Sequence, residues 1–452
     1  PQSRTILSVI SLVSYVLTKV AVTVYAGGLV FQQVFGIKEL WGIDFFWIAA
    51  IGLVVLTALY TIFGGMKSVL YTSVLQTPIL LLGSLIILVL GFKELGGWDE
   101  MMRVCGAVTV NDYGDTMTNL IRSNDDANFP WLGALIGSAI IGFWYWCTDQ
   151  FIVQRVLSGK NEMEARRGTI FGAYLKLLPV FLFLIPGMIA FALHQKYIGA
   201  GGEGFLPMLA NGTANADAAF PTLVAKLLPA GVKGLVVCGI LAALMSSLAS
   251  LFNSSAMLFT IDFYKRFKPE TPEKKLVGIG QIATIVIVVL GILWIPIMRS
   301  VGDVLYTYLQ DVQSVLAPGI AAAFLLGICW KRTSAQGGMW GLISGMVIGL
   351  TRLGAKVYYS NAGEVADSTF KYLFYDMNWL FFCGWMFLFC IIVVIVVSLA
   401  TEAPTAEKIQ GLVFGTATKE QKAATRASWN HWDIIHTVII LAITAAFYWY
   451  FW

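Results

Sequence analysis

Ala243, Ser246 and Ser247 stand at i, i+3 and i+4, so a helix would carry them on one face. Two hydroxyl oxygens and a backbone carbonyl on that face suit a small hard cation, because such ions prefer oxygen ligands. A cage of neutral oxygens with no carboxylate fits a monovalent ion such as sodium, held weakly enough to be released. Lys176, within Tyr174-Leu175-Lys176-Leu177, and Gln310 offer hydrogen-bond donors suited to hydroxyl groups. Tyr145 and Trp146 offer aromatic faces that suit the C–H face of a sugar ring, and the same two rings could equally be core packing. Lys19, Asp149 and Gln150 interrupt otherwise apolar runs. So do Asp303, Asp311 and Gln313 ahead of Pro318-Gly319, and Ser250, Asn253, Ser254 and Ser255 after the serine pair.

Each residue also has a plainer reading. Lys19 could be the structural partner of an acid on another helix. Asp149 could pair with Lys19, with Arg155 or with a helix N-terminus. A serine run in a span often only lets two helices approach closely. Asp303 would sit at the outer water interface, and Pro318-Gly319 would be an ordinary kink. The combination says more than any member of it. Five polar-bearing spans, Gly142 in the middle of one of them and a Pro-Gly break in another describe a polar cavity at mid-membrane, lined partly by irregular helices.

The elements that must position these residues are transmembrane helices. Of the 452 residues, 58% are hydrophobic and only 12% charged, against roughly 45–50% and 25% in a soluble domain. That excludes a disordered chain, a fibre, a nucleic-acid binder and a large soluble enzyme. Apolar runs near the ~20 residues a helix needs to cross a bilayer recur throughout, and the ~10-residue alternating segments of a β-barrel are absent. Eleven spans are predicted: A 5–34, B 43–63, C 69–92, D 131–154, E 169–193, F 233–261, G 276–298, H 304–328, I 337–355, J 378–400 and K 432–451. Lys and Arg cluster in alternate loops, with Arg155, Lys160, Arg166 and Arg167 between D and E and five cations from Lys265 to Lys275 between F and G. Lys331 and Arg332, then Lys408, Lys419, Lys422 and Arg426, continue the pattern, together with Arg4 and Lys67. The positive-inside rule makes that side cytoplasmic and the C-terminus external. Phe220 to Val224 reads as a short surface helix lidding the outer face, and 401–431 as a charged cytoplasmic linker. The six cysteines form no C-x-x-C pair and the three histidines no cluster, which argues against a disulfide framework or a zinc site. No cleavable signal peptide is visible at the start.

At these residues the chain resembles the solute:sodium symporters, and closely their sodium/glucose cotransporter branch. The strings are Thr57-Ala-Leu-Tyr-Thr-Ile-Phe-Gly-Gly-Met66, Tyr71-Thr-Ser-Val-Leu-Gln-Thr77, Trp144-Tyr-Trp-Cys-Thr-Asp-Gln150 with Val153-Gln-Arg155, Tyr174-Leu-Lys-Leu-Leu-Pro179, Leu241-Ala-Ala-Leu-Met-Ser-Ser-Leu248 and Trp330-Lys-Arg332. They occur in the family's order over nearly the whole chain. The resemblance implies an all-α polytopic membrane protein of LeuT-type inverted-repeat fold. Residues 1–93 would be the remainder of the first repeat, 130–328 the second, and 335–452 peripheral helices of one transporter domain. It also implies sodium-coupled uptake of a glucose- or galactose-like sugar by alternating access. Ser246 and Ser247 match sodium-ligating serines and Ala243 a carbonyl donor. Lys176 and Gln310 match sugar-binding positions, Tyr145 an inner gate with Trp146 beside it, and Tyr306 an outer gate.

Two departures are informative. Two-sodium relatives carry an Asp where this chain has Ser73, which suggests one sodium per cycle. Thr307 replaces an Asp found near the sugar in some relatives, while Asp311 and Gln313 add polarity nearby, so the solute need not be plain glucose. The family has about fourteen spans and the eleven here align with the last eleven, so the first discontinuous helix and its sodium carbonyls are expected to be missing. Only three of the family's five sodium ligands can then be named. The expected partners are a small solute, sodium as cargo and a lipid bilayer in the plasma or inner membrane, with no organic cofactor and no nucleic acid. The alternative keeps the fold and changes the solute to inositol, sialic acid or an amino acid. A sensor on the same fold would carry a cytoplasmic kinase, and an intramembrane enzyme would need a motif such as H-E-x-x-H or G-x-S-x-G, which is absent.

Overall fold

The computed structural model describes residues 2–209, 212–301, 304–362 and 366–451, with the side chains at 60, 62–70, 72, 75 and 299–301 outside that description. Helix α1 (Gln2–Ser14), a π-turn (Tyr15–Val20) and α2 (Ala21–Phe35) run on as one span. A short hairpin, β1 (Glu39–Leu40) and β2 (Ile43–Asp44), leads to α3 (Phe45–Leu95) and α4 (Trp98–Gly106). Next come α5 (Trp131–Cys147), α6 (Gln150–Leu157), α7 (Glu162–Pro179), α8 (Ile185–Gly199), α9 (Ala219–Leu227), α10 (Ala230–Met257) and α11 (Lys265–Phe267). The chain ends with α12 (Glu273–Val301), α13 (Leu305–Cys329), α14 (Ala335–Asn361), α15 (Thr369–Lys371), α16 (Trp379–Ala400), α17 (Ala406–Ile409), α18 (Lys419–Ala427) and α19 (His431–Tyr450). Among the described residues eight helices are long and apolar enough to cross a membrane, or nine if the bent pair α5–α6 is one span.

Three boundaries differ from expectation. The predicted turn between B and C, at Gly64, Gly65 and Lys67, is helical backbone inside the 51-residue α3. A glycine costs only ~1 kcal/mol in a helix interior, and two of them without a proline do not end one. At ~1.5 Å per residue α3 is far longer than the ~30 Å hydrocarbon core. The predicted Pro-Gly break in H is likewise absent, and α13 stays helical through Pro318. Its residues Asp311–Ala322 are all buried, so packing holds the helix where one hydrogen bond is lost. The real interruption lies in D, where α5 and α6 meet at 47° across Thr148 and Asp149. The short helix expected at 220–224 is present as α9, and the segment near 401–431 carries α17 and α18.

The chain divides into two compact units. The first comprises 1–19, 122–171 and 254–443, and its core joins Ile10, Ile140, Trp144, Ile320, Leu342 and Leu380. Here α14 lies against α13 and α16 along a glycine row at four-residue spacing, Gly337, Gly341, Gly345 and Gly349. A Cβ on Gly345 would meet the Gly319 Cα at 2.8 Å, and one on Gly349 would run into the Val315 carbonyl. Small residues at such an interface let backbones approach closely, the main source of helix association where no water is displaced. The second unit comprises 20–121, 172–253 and 444–452. Its core joins Phe31, Ile87, Met101, Ile189, Leu193, Leu223 and Val236 from α2, α3, α4, α8, α9 and α10.

Gly345→Val is expected to destabilise the purified protein by about 1–3 kcal/mol, the usual cost of overpacking. Gly354→Ala, whose added methyl meets nothing within 4 Å, should leave the thermal midpoint in detergent unchanged or slightly raised, because alanine removes the ~1 kcal/mol cost of a glycine in a helix interior. Equal midpoints for the two variants would show that the glycine row does not set this contact.

Candidate functional site

The candidate residues are divided between the two units. Lys19, Tyr145, Trp146, Asp149, Tyr306, Gln310, Asp311 and Gln313 belong to the first, and Ser73, Lys176, Ala243, Ser246 and Ser247 to the second. Asp303 lies outside the described residues.

In the first unit the two irregular helices meet through charge. The break after α5 frees backbone groups, and Asp149 caps α6 by accepting the Phe151 amide at 3.1 Å. The same carboxylate accepts from the Tyr15 hydroxyl at 2.9 Å and forms an ion pair with Lys19. Tyr15 and Lys19 both belong to the π-turn, a device that recurs at functional sites. The pair is closed off from solvent, with side-chain exposures of 7% and 2%. Rings surround the ammonium: Phe151 at 4.4 Å, Tyr15 at 4.8 Å, Tyr145 at 5.2 Å and Trp144 at 5.7 Å from centroid to Nζ. Trp146 turns outward, 51% exposed, and meets Tyr145 edge-on.

Gln310 donates to the exposed Tyr306 hydroxyl at 3.0 Å, so the expected sugar donor and the expected outer-gate ring touch. Asp311 is occupied otherwise. It forms an ion pair with Lys356 and lies 3.9 Å from Arg352, which is fully buried, stacked on Phe382 and bonded to the Met377 carbonyl at 2.7 Å. Gln313 is buried beside it. The signal for Arg352 and Lys356 was two cations at i, i+4 in an otherwise glycine-rich span, a spacing that presents both to one acid. Gln154, also unremarked, donates to Ser254 at 2.6 Å. Part of the serine run therefore serves helix contact.

In the second unit the geometry gathers around the serine face of α10. Ser246 is buried and its hydroxyl lies 2.6 Å from that of Ser73 on α3. Ala243 and Ser247 share the face and are half-buried, so both remain within reach of water. The Ser73 carbonyl accepts from Thr77 at 2.8 Å. Lys176 is exposed on α7. Chemically, this is a cluster of neutral oxygens from two helices, of the kind that holds a monovalent cation. Among the described residues no group of three or more His, Cys, Asp or Glu could hold a metal ion.

Comparison with known proteins bears on the family and the fold. Residues 2–345 match the sodium:solute symporter family. The chain is 34% identical to a sodium/mannose cotransporter of Bos taurus over 99% of its own length and 77% of the relative's. It is 35% identical to the Homo sapiens sodium/myo-inositol cotransporter 2, covering 91% of this chain and 62% of that one. It is 36% identical to the Ovis aries sodium/glucose cotransporter 1, covering 88% and 61%. It therefore spans about six tenths of the length of the inositol and glucose relatives. A solved Na+-coupled sialic acid symporter, in a substrate-bound outward-open state, superposes with a TM-score of 0.63 at 20% identity, over 88% of this chain and 76% of that one. The shared fold is the all-α transporter fold expected from the sequence.

Removing one partner of a buried ion pair leaves an uncompensated charge, worth about 3–5 kcal/mol. Lys19→Met should be destabilised by that order. Adding Asp149→Asn should restore much of the loss, because asparagine still caps α6 and bears no charge. Calorimetric midpoints for the two singles and the double form a thermodynamic cycle, and strict additivity would contradict the pairing.

Proposed function

The chain belongs to the sodium:solute symporter family, and from that premise we propose that it imports a sugar or sugar-like polyol together with sodium. It is a transporter by family, not an enzyme, and a multi-pass membrane protein. The observation that carries the reading is the contact between Ser246 and Ser73, which adds a second helix to the face bearing Ala243 and Ser247. In the proposal, Ser246, Ser247 and the Ala243 carbonyl hold sodium. Ser73, a neutral hydroxyl where two-sodium relatives have a carboxylate, limits the cycle to one ion. Lys176 and Gln310 donate to solute hydroxyls, Tyr145 gates the inner side with Trp146 beside it, and Tyr306 the outer. Alternating access proceeds between two inverted repeats, with 130–328 as the second. The basic loops face the cytoplasm of a cell membrane and the C-terminus faces outside.

Binding drives the cycle without covalent chemistry. Sodium favours the outward-open state, the solute binds there, the outer gate closes, and loss of sodium to the cytoplasm releases the solute. A ligand shifts such an equilibrium only through its different affinity for the two states. The membrane potential adds ~2.3 kcal/mol per charge per 100 mV. Names of relatives that include mannose, myo-inositol and glucose support a polyhydroxylated cargo. The sialic acid symporter keeps other polar solutes as the second reading.

Uptake of labelled glucose, mannose and myo-inositol, with and without sodium, tests the proposal, and sodium-independent uptake of all three would refute it. Ser247→Ala should abolish the sodium-dependent component, whereas undiminished uptake would remove α10 from the ion site. Uptake against sodium concentration should follow a Hill coefficient near one; a clearly sigmoidal curve would overturn the role given to Ser73.

A further inference from the structure

The second unit also holds a cavity of about 560 Å³, within the ~300–1,000 Å³ of small-molecule sites. It shares no residue with the serine face of α10. Gln33 near the end of α2 lines it, with Glu203, Phe205 and Met208 from the segment after α8, and Thr222 and Lys226 from α9.

The wall is pre-formed at two points. His194, 3% exposed, accepts the Leu206 amide on Nδ1 at 3.0 Å, and Gly204 lies so close to the imidazole that no Cβ would fit. Lys226 donates to the Phe205 carbonyl at 2.8 Å with its ammonium 4.7 Å from the Phe205 ring centroid. Polar capacity is nevertheless left over. Gln33 is half-buried and Glu203 exposed, and neither makes a hydrogen bond among the described residues, so both can turn to a solute.

The lining selects a ligand class. One carboxylate and one ammonium sum to zero, so an anion is opposed by Glu203 and a cation by Lys226. A hydroxyl can donate to the first and accept from the second, and a carboxamide serves it in either sense. Phe205 and Met208 offer apolar surface to C–H groups. We propose that this cavity is a second site, separate from the sodium-coupled one, for a neutral polyhydroxylated solute. Because the site contains none of the proposed sodium ligands, it binds without sodium.

Equilibrium binding of tritiated glucose, mannose and myo-inositol to the purified chain, with and without sodium, tests this. At least one probe should show a weak sodium-independent component beside the sodium-dependent one. Glu203→Ala should weaken only the sodium-independent component, by about tenfold, the equivalent of one hydrogen bond to a charged group. Met208→Trp, which narrows the cavity on the side lined by the segment after α8, should weaken that component. Lys176→Ala should do the reverse and spare it. Retention of the sodium-dependent component in the cavity variants shows that they are folded. Where Glu203→Ala loses both components, Met208→Trp decides. Absence of sodium-independent binding for all three probes, or its undiminished persistence in both Glu203→Ala and Met208→Trp, overturns the second site. Loss of the sodium-dependent component alone in the unaltered protein would instead fall on the transport reading.

Discussion

A charge taken into an apolar interior must be answered there, and the first unit is built around one such answer. Lys19 and Asp149 sit where two helices abandon regular geometry, at a π-turn and at a 47° break. Each irregularity would be expensive alone, because backbone groups freed inside a membrane have no water to bond. Together they are self-consistent. Asp149 satisfies the amide at the start of α6, the Tyr15 hydroxyl and the Lys19 ammonium with one carboxylate, and four aromatic faces surround the cation that remains.

The same rule recurs at α14, solved differently. Arg352 is fully buried, and its charge is met by Asp311, by the carbonyls of Leu373 and Met377 and by the Phe382 ring. Those carbonyls lie in the last turn and just past the end of the short helical segment that finishes at Asp376, where carbonyls lack intrahelical partners. The glycine row brings α13 and α14 close enough for a side chain on one to reach an acid on the other. Close backbone packing and buried charge are therefore coupled: spread the helices, and Asp311 would face two cations it no longer reaches.

What was legible in the sequence follows from which signals are local. Hydrophobic runs gave the expected spans as helical backbone, and Phe220 to Val224 as a short helix. B and C nevertheless run together in α3, and eight or nine candidate spans stand among the described residues in place of eleven. Lys19 and Asp149 were readable as an acid and a base in need of partners, and their mutual pairing stood among the plain readings. The location of the helix break was not legible. Pro318-Gly319 carried the stronger local signal, yet packing around α13 overrode it, while Thr148-Asp149 carries only the cap preference of an aspartate. The fate of Asp311 was hidden for a related reason. Its position beside Gln310 pointed toward solute, and only the register of α14 against α13 reveals Lys356 and Arg352 as its partners. The contact of Ser73 with Ser246 spans 173 positions, so no spacing rule could anticipate it, although resemblance had marked both residues.

The contrast between these regions bears on coupling. Around Lys19 and Asp149, formal charges are buried and paired, which suits elements that hold one shape. Around Ser246 the described oxygens of Ser246 and Ser73 are neutral, so under the proposed function an entering sodium ion would bring its own charge and its departure would leave none behind. A carboxylate in place of Ser73 would bind a cation more tightly and would need one to be present, which favours a second ion. On the one-sodium reading, ~2.3 kcal/mol per 100 mV corresponds to about fiftyfold accumulation from the potential alone. A second ion would square that factor. On the proposed one-sodium cycle the serine would therefore exchange concentrating power for a cycle that uses one ion per solute.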